Sequence, residues 1–398
     1  MDTICNIFKI GFGPSSSHTM GPSRAASLYK KRFPNAPFYR VTLFGSLSLT
    51  GKGHLTDVAI TNYLPKAQTE IIWSKEFKPF HPNAMLFEAL AEDKTAIDQW
   101  LVYSIGGGEI VDEDGLLTKT TESIYPHTKM KDILRWCADS GRTFWEYVEI
   151  HEPDGLWDYL AEIWNVMKST IEIGLEKDGV LPGGLGLRRK AASYYSKALG
   201  YKDSLQGRCL TFAYALATAE ENASCGQVVT APTCGSAGVL PAVLYHAFVN
   251  HQLTQTRILK ALATAGLFAN IVKENASISG AEVGCQGEIG VACAMGAAAA
   301  CQLFGGSIYQ IEYAAEMALE HHLGSTCDPM CGLVQIPCIE RCAFAAGRSF
   351  ESNLYALMSD GQHRVSFDKV MMVMKQTGHD LPSLYKETSE GGLATIQG

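Results

Sequence analysis

The sequence predicts an α+β protein, in which a mixed α/β amino-terminal domain is followed by a compact all-helical domain. Segments rich in β-branched and aromatic residues, which are typical of strands, are concentrated in the first half. From about Lys190 onward, almost every segment is rich in Ala, Leu and Met and is interrupted only by short Gly breaks. This composition favours helices whose small side chains let backbones approach closely. A chain of 398 residues is long enough for two such domains.

The first predicted domain, residues 1–147, combines helices and strands. A loop near the amino terminus leads into a predicted helix from Gly21 to Arg32, and a second helical segment is expected at 83–92. The predicted strands lie in FYRVTLFGSLSL and QWLVYSIGGGEIV, which contain or end in Gly-rich turns.

Residues 148–189 are predicted to be a helical linker that ends in the Pro- and Gly-rich loop DGVLPGGLGLRRK. Residues 190–398 form the predicted all-helical domain. Its helix-like segments are YYSKALG, RCLTFAYALATAEENA, AGVLPAVLYHAFVN, TRILKALATAGLFANIVKENA, EIGVACAMGAAAACQLFG and IEYAAEMALEHH.

The overall charge argues against two classes of partner. The chain is 46% hydrophobic and 19% charged, with a formal net charge of −8. Without a basic patch, neither nucleic acid nor an anionic membrane surface is expected as a partner. The longest uncharged apolar run, IGVACAMGAAAAC, has 13 residues, whereas a membrane span needs about 18 or more. With no signal peptide pattern at the amino terminus, the expected location is the cytoplasm.

Twelve cysteines are unevenly distributed, with nine of them between Cys225 and Cys342. Several lie in Gly-rich loops, where a metal ligand is more accessible than inside a helix. No Cys-x-x-Cys pair occurs, which argues against a zinc knuckle, and the compact ferredoxin run is also missing. The spacing alone leaves a metal site and ordinary buried thiols equally open.

The loop GPSSSHTMGP near the amino terminus concentrates three serines and a histidine between two Gly-Pro pairs. A hydrolase nucleophile fits poorly, because a nucleophile elbow has the pattern Gly-x-Ser-x-Gly. A loop that runs into a helix amino terminus instead offers hydroxyls, backbone N–H groups and a positive dipole end to a carboxylate.

Seven motifs appear in order along almost the whole chain, and together they resemble the iron–sulfur L-serine dehydratases in the form that joins β and α parts in one chain. The motifs are GPSSSHTMGP, GSLSLTGKGHLTD, YSIGGGEI, TAPTCGSAGVLPAVL, NASISGAEVGCQGEIGVACAM, GSTCDPMCGLVQIPCIER and LYKETSEGGLA.

The resemblance implies a 4Fe-4S cluster held by Cys285, Cys327 and Cys338, with the fourth iron open to substrate. Cys331 stands where the family does not require cysteine and is left out. Some members of the family end in a cysteine that reaches back to the open iron at rest. This chain ends in GGLATIQG and lacks it. The identity of the resting fourth ligand therefore stays open, with water or another small ligand expected.

The resemblance also implies that two histidines approach the cluster from the first domain. Removal of water from L-serine needs a base, and histidine is the side chain most often suited to that role near neutral pH. We assign proton abstraction to His54 and a positioning or proton-relay role to His18, and the reverse assignment stays open.

Further residues are expected to contact the substrate. The threonines of the TAPT loop could equally be helix caps, and Glu282 is a candidate for binding the substrate ammonium group. The complete set of predicted substrate contacts is Ser15, Ser16, Ser17, Thr19, Thr230, Thr233, Asn275, Ser277 and Glu282.

The expected activity is the conversion of L-serine to pyruvate and ammonia, by an enzyme expected to be a homodimer. Two alternatives remain. A related lyase would act on L-cysteine or L-threonine, and a non-catalytic iron–sulfur or amino-acid sensor would bind its ligand without releasing pyruvate. Regulation is not visible in the sequence.

Overall fold

A computed structural model describes residues 1–112 and 123–396 and confirms the α+β class. A five-stranded sheet in the order β3-β2-β4-β5-β6 forms the centre of the amino-terminal half. Strands β2 and β3 are parallel, and the other neighbours are antiparallel. The strands are β2 Phe38–Phe44, β3 Thr69–Ser74, β4 Ala84–Leu90, β5 Ala96–Gly106 and β6 Glu109–Asp112.

The predicted helix at 83–92 is wrong, because this segment forms the central strand β4. Its sequence, AMLFEAL, is rich in residues with high helix propensity. However, β4 lies between β2 and β5 and is buried almost throughout. A short apolar run of this length fits a buried strand as well as a helix, and tertiary context decides between the two.

One face of the sheet is covered by α1 Gly21–Arg32, at the position predicted. It buries Ala25, Ala26 and Tyr29 against sheet residues that include Tyr39 and Phe87. Two shorter helices, α2 Ser46–Thr50 and α3 Thr56–Thr61, follow β2.

The carboxy-terminal half is helical, as predicted, and α12 runs through its centre. This helix packs against α9, α10, α13 and α14. Gly296 permits the contact with α14, since an added Cβ would lie 2.5 Å from Ser349 Oγ. The helices are α7 Ala191–Ala198, α8 Asp203–Ala223, α9 Val239–Asn250, α10 Gln255–Asn275, α11 Gly280–Val283, α12 Ile289–Leu303, α13 Ile308–Glu320, α14 Cys338–Leu357 and α15 Phe367–Asp380.

The same helical core also contains segments from the first 190 residues. Strand β1, Ile10–Phe12, pairs antiparallel with β7, Gln227–Val229, and the residues before β1 bury Ile4 and Phe8 among the helices. Helices α4 Met130–Ser140, α5 Phe144–His151 and α6 Leu156–Leu175 pack against this core as well. The domain boundaries at 147 and 189 stay predictions.

None of the helices in the described ranges combines the length and apolar character needed to cross a bilayer.

Candidate active site

The serine-rich loop folds into a wide helical turn, Ser16–Met20, which continues directly into α1. Ser15 caps this turn, since its Oγ accepts a hydrogen bond from His18 N at 3.1 Å. Two threonines fasten the turn to the segment around His54. Thr19 Oγ1 donates to His54 O at 2.8 Å, and Thr56 Oγ1 donates to His18 O at 2.6 Å. These two hydrogen bonds attach the backbone of each predicted histidine to the segment that carries the other one.

His54 follows α2, and its ring is fixed in one tautomer. Its Nδ1 lies 3.0 Å from Thr50 O. Because a carbonyl oxygen can only accept, Nδ1 of the neutral ring must carry the proton. Nε2 is left with a free lone pair. This is the arrangement required of a base.

His18 has both ring nitrogens engaged by hydroxyl groups. Ser46 Oγ donates its proton to Glu387 O at 2.5 Å, so it accepts from His18 Nε2 at 3.1 Å. Nδ1 is then the acceptor for Ser17 Oγ at 2.9 Å. These contacts fix the orientation of His18 and leave neither ring nitrogen free for proton transfer.

The two imidazole rings stack with their centroids 4.5 Å apart, and Glu387 joins them. Its Oε1 lies 3.4 Å from His18 Nδ1 and 3.7 Å from His54 Nε2. We call His18, His54 and Glu387 the active-site cluster. Across the residues that the structure describes, only this trio of His, Cys, Asp or Glu side chains brings ligand atoms together within 4.8 Å in a way that could hold a single metal ion.

Burial determines the charge of the active-site cluster. It lowers the pKa of His54 to about 4, and it lowers the pKa of His18 well below its usual value with a further contribution from His54. Burial, followed by repulsion from Glu288, raises the pKa of Glu387 well above the ordinary glutamate value. Both histidines are therefore neutral near pH 7.

Three cysteines line one small cavity together with His54 and Glu387. Cys285 begins a short turn after α11, Cys338 is the first residue of α14, and Cys327 lies between them in a loop. Cys327 is held by the carboxy-terminal segment, since its N–H donates to Tyr385 O at 2.8 Å and its carbonyl accepts from Glu387 N at 2.7 Å. The three predicted thiols thus converge from positions far apart in sequence.

The chemistry of this cavity suits a metal centre. All three thiols are free, and burial raises the pKa of Cys285 to about 11 despite the nearby Arg341. Burial also raises the pKa values of Cys327 and Cys338 well above the usual value, with repulsion between the thiols adding to the effect. A bound metal cation would make these three neighbouring thiolates favourable.

The spacing of the thiols argues against a single tetrahedral ion. A tetrahedral zinc, with Zn–S of about 2.3 Å, would hold its sulfur atoms about 3.8 Å apart. In the described part of the chain the three cysteines do not form a trio that close. Gly280 leaves room beside them, since an added Cβ would lie 3.1 Å from Cys327 Sγ and 2.7 Å from Glu288 Oε2. Cys331 is exposed and outside the lining of the cavity.

The other predicted residues fall into two groups. Ser15 lines the cysteine cavity, and Thr233 lies beside Glu288. Thr230 fastens the amino-terminal segment instead, because its Oγ1 donates to Ile7 O at 2.7 Å and accepts from Lys9 N at 2.9 Å.

Asn275, Ser277 and Glu282 lie outside the lining of the cysteine cavity. Asn275 Nδ2 donates to Thr128 O at 2.7 Å. Ser277 Oγ donates to Glu282 Oε2, and Glu282 Oε1 lies 3.6 Å from His81 Nε2. Ser277 and Glu282 line a neighbouring pocket together with His81. Their contact with substrate stays a prediction.

Sequence reasoning missed three side chains of the site: Ser46, Glu288 and Glu387. Glu288 Oε2 lies 3.7 Å from Cys327 Sγ. All three belong to the recognised motifs GSLSLTGKGHLTD, AEVGCQGE and LYKETSEGGLA. Each of these residues is a polar residue in a Gly-containing motif, and this pattern was the signal that could have identified them.

Comparison with known proteins identifies the family of this chain. A family model described as serine dehydratase beta chain matches residues 3–72, and one described as serine dehydratase alpha chain matches residues 83–394.

Curated relatives match over almost their full length. The L-serine dehydratase of Haemophilus influenzae is 39% identical, and the alignment covers 99% of each chain. The L-serine dehydratase of Streptomyces coelicolor is 39% identical over 98% of each chain, and L-serine dehydratase 2 of Escherichia coli is 38% identical over 99% of this chain and 98% of the relative. The protein described here belongs to the serine dehydratase family.

Proposed function

We propose that this chain is an L-serine dehydratase that converts L-serine to pyruvate and ammonia with the help of a 4Fe-4S cluster. The observation that carries the proposal is one cavity in which three free cysteines, two buried and one partly buried, face a histidine with an unprotonated Nε2. The names of the relatives, each an L-serine dehydratase, supply the substrate.

Cys285, Cys327 and Cys338 would hold the cluster, since they are the three thiols of the cavity. When bound, the cluster would supply a Lewis acid that eases departure of the substrate hydroxyl. Arg341 lies next to these thiols and would offset part of their negative charge. No fourth cysteine lines the cavity in the described part of the chain.

His54 is the proposed base. Its Nε2 takes the Cα proton of the substrate, while the hydrogen bond from Nδ1 to Thr50 O stabilises the ring as it becomes cationic. The C–O bond breaks and hydroxide leaves, so the immediate product is aminoacrylate. This compound tautomerises and hydrolyses to pyruvate and ammonia in water.

His18 is proposed to position the reacting groups. Both of its ring nitrogens are committed to Ser17 and Ser46, and its ring stacks on that of His54. Its main effect is therefore to hold His54 in place and to keep bulk water away from Nε2. The hydroxyl groups and N–H groups of residues 15–19 are proposed to bind the substrate carboxylate.

The assignment of Cys285, Cys327 and Cys338 as ligands of the iron–sulfur cluster is tested by anaerobic reconstitution followed by counts of iron and sulfide. Cys285→Ala, Cys327→Ala and Cys338→Ala should each lose the cluster and at least a thousandfold in activity. Cys301→Ala, which alters a buried thiol of α12, should keep both. Full cluster retention in any of the first three variants would show that the ligand assignment is wrong.

The substrate assignment is tested by steady-state rates of pure anaerobic protein. The value of kcat/KM should be higher for L-serine than for L-threonine or L-cysteine. Binding of L-serine without release of pyruvate would instead identify a sensor. We also propose a cytoplasmic homodimer, whose assembly light scattering would test.

A further inference from the structure

Glu387 reaches the site from the carboxy-terminal segment that follows α15. Its N–H donates to Cys327 O at 2.7 Å, and its carbonyl accepts from Ser46 Oγ at 2.5 Å. Its φ of 60° lies in the left-handed region, which side chains other than Gly, Asn and Asp seldom adopt. Two hydrogen bonds from different elements thus hold Glu387 in a sparsely populated conformation, an arrangement that is common at functional sites.

The carboxylate of Glu387 is incompletely satisfied. It is 5% exposed and lines the cysteine cavity. Its Oε1 faces the two histidines, whereas Oε2 has no hydrogen-bond partner in the described part of the chain. No lysine or arginine among residues 1–112 and 123–396 forms an ion pair with it, and the two ring nitrogens that face it, His18 Nδ1 and His54 Nε2, are the unprotonated ones. A buried carboxylate of this kind is costly unless it takes up a proton or gains a cationic partner from outside the chain.

Glu288, the second carboxylate of the cavity, differs from Glu387 in this respect. It is close to Thr233, Cys327 and Arg341, so protein groups already surround it. Glu282 lies in the neighbouring pocket with Ser277 and His81. Of the three glutamates, Glu387 is therefore the one that combines burial, an unpartnered oxygen and proximity to His54.

We propose that the carboxylate of Glu387 binds the α-ammonium group of the amino acid substrate. This inference rests on the proposed function and adds the residue that selects amino acids over hydroxy acids without an amine. Because Glu387 Oε1 lies 3.7 Å from His54 Nε2, an ammonium group on Glu387 would place the adjacent Cα close to the base. The ammonium group would also supply the positive charge that the active-site cluster lacks.

The test compares two competitive inhibitors with the cluster-loaded enzyme. L-alanine has the ammonium group but no hydroxyl, and 3-hydroxypropionate has the hydroxyl but no ammonium group. Glu387→Gln keeps the shape of the side chain and removes its charge. This substitution should raise the inhibition constant of L-alanine and the KM for L-serine by about 10- to 100-fold, the range for a hydrogen bond to a charged group. The inhibition constant of 3-hydroxypropionate should change less than about threefold.

Two matched variants complete the test. Glu390→Gln alters an exposed glutamate of the same segment and should leave both inhibition constants unchanged. Glu282→Gln should also leave the ratio of the two constants unchanged. A selective loss of L-alanine binding in Glu282→Gln, or an equal loss of both inhibitors in Glu387→Gln, would overturn the proposal.

Two readouts separate this inference from the proposed function and from misfolding. Iron and sulfide counts verify the cluster, and the rise in Tm caused by each inhibitor reports binding without turnover. If Glu387→Gln does not fold, Glu387→Asp should still weaken L-alanine severalfold more than 3-hydroxypropionate, and an unchanged ratio would refute the inference. A wild-type enzyme that binds L-alanine but releases no pyruvate from L-serine would contradict the proposed function alone.

Discussion

Two polar clusters, one buried and one partly buried, join the sheet-containing half to the helical half, and they differ in charge balance. The active-site cluster places Glu387 against two neutral histidines. The second cluster, which we call the lysine network, consists of Asp2, Lys9, Glu109 and Lys273. Here Glu109 lies 3.1 Å from Lys9 Nζ and 3.0 Å from Lys273 Nζ, which also lies 3.0 Å from Asp2.

The two clusters shift the pKa of a glutamate in opposite directions. Burial alone would raise the pKa of Glu109, but Lys9 and Lys273 outweigh it, and the pKa is lowered. For Glu387, burial and the neighbouring Glu288 both raise the pKa. The lysine network is thus complete without a ligand and fixes the two halves together, whereas the active-site cluster lacks a cation. Charge balance separates the structural cluster from the candidate site.

The largest expected effect comes from the active-site cluster. His54→Gln should lower kcat by about 10²- to 10⁴-fold, because general base catalysis contributes on that scale. The iron–sulfur content and the Tm should stay close to wild type, since Gln can still donate a hydrogen bond to Thr50 O. Pyruvate formation by anaerobic protein gives the rate, and iron counts verify the cluster.

A matched control for this variant is His251→Gln, which alters an exposed histidine of the helical half. It should leave kcat unchanged. If His18→Gln abolished activity while His54→Gln kept nearly all of it, the roles assigned to the two histidines would have to be exchanged.

Breaking the lysine network should affect stability and spare catalysis. Glu109→Gln removes the partner of two partly buried lysines and should lower the free energy of unfolding by about 2 kcal/mol. Denaturant unfolding of wild type and variant would measure the difference. Because the folded-state pKa of Glu109 is lowered, its contribution is present above the ordinary value of about 4.5 and is lost as the pH falls through the folded value.

The pH dependence supplies the internal control for Glu109→Gln. The stability difference between wild type and variant should be largest near pH 7 and should shrink toward zero in acid. A difference that is independent of pH would mean that shape rather than charge explains the effect. A large fall in kcat at pH 7 would contradict the separation between the two clusters.

Much of this architecture could be predicted from the sequence, because local signals and long motifs agree. The helix after the serine-rich loop and the helices of the second half follow from periodicity and composition. The strand β4 could not be recognised, because its residues favour a helix and only its place between β2 and β5 decides otherwise.

The candidate site divides in the same way. His18, His54 and the three cysteines lie in motifs that carry the family resemblance, and the structure brings them to one region. Glu387 could not be placed, because it enters through a contact between residues 60 positions apart, Cys327 and Glu387. The lysine network was equally hidden, since its members are spread from Asp2 to Lys273.

The smallest expected effect tests whether a raised carboxylate pKa alone marks a functional site. Glu316 of α13 is 3% exposed, and burial, with repulsion from Glu320 and Glu312, raises its pKa to about 7. It does not line the cysteine cavity.

A raised folded-state pKa contributes stability below the ordinary value of about 4.5, and this contribution is lost as the pH rises through about 7. Glu316→Gln should therefore raise the free energy of unfolding by about 1–2 kcal/mol at pH 8 and change it little at pH 4. Unfolding curves at the two pH values would measure this, with kcat expected to stay at the wild-type value. A loss of activity in this variant would show that burial of an uncompensated carboxylate is a functional signal even away from the cavity. Charge balance alone would then not identify a binding carboxylate, and the unpartnered oxygen and the nearby base of Glu387 would be the criteria instead.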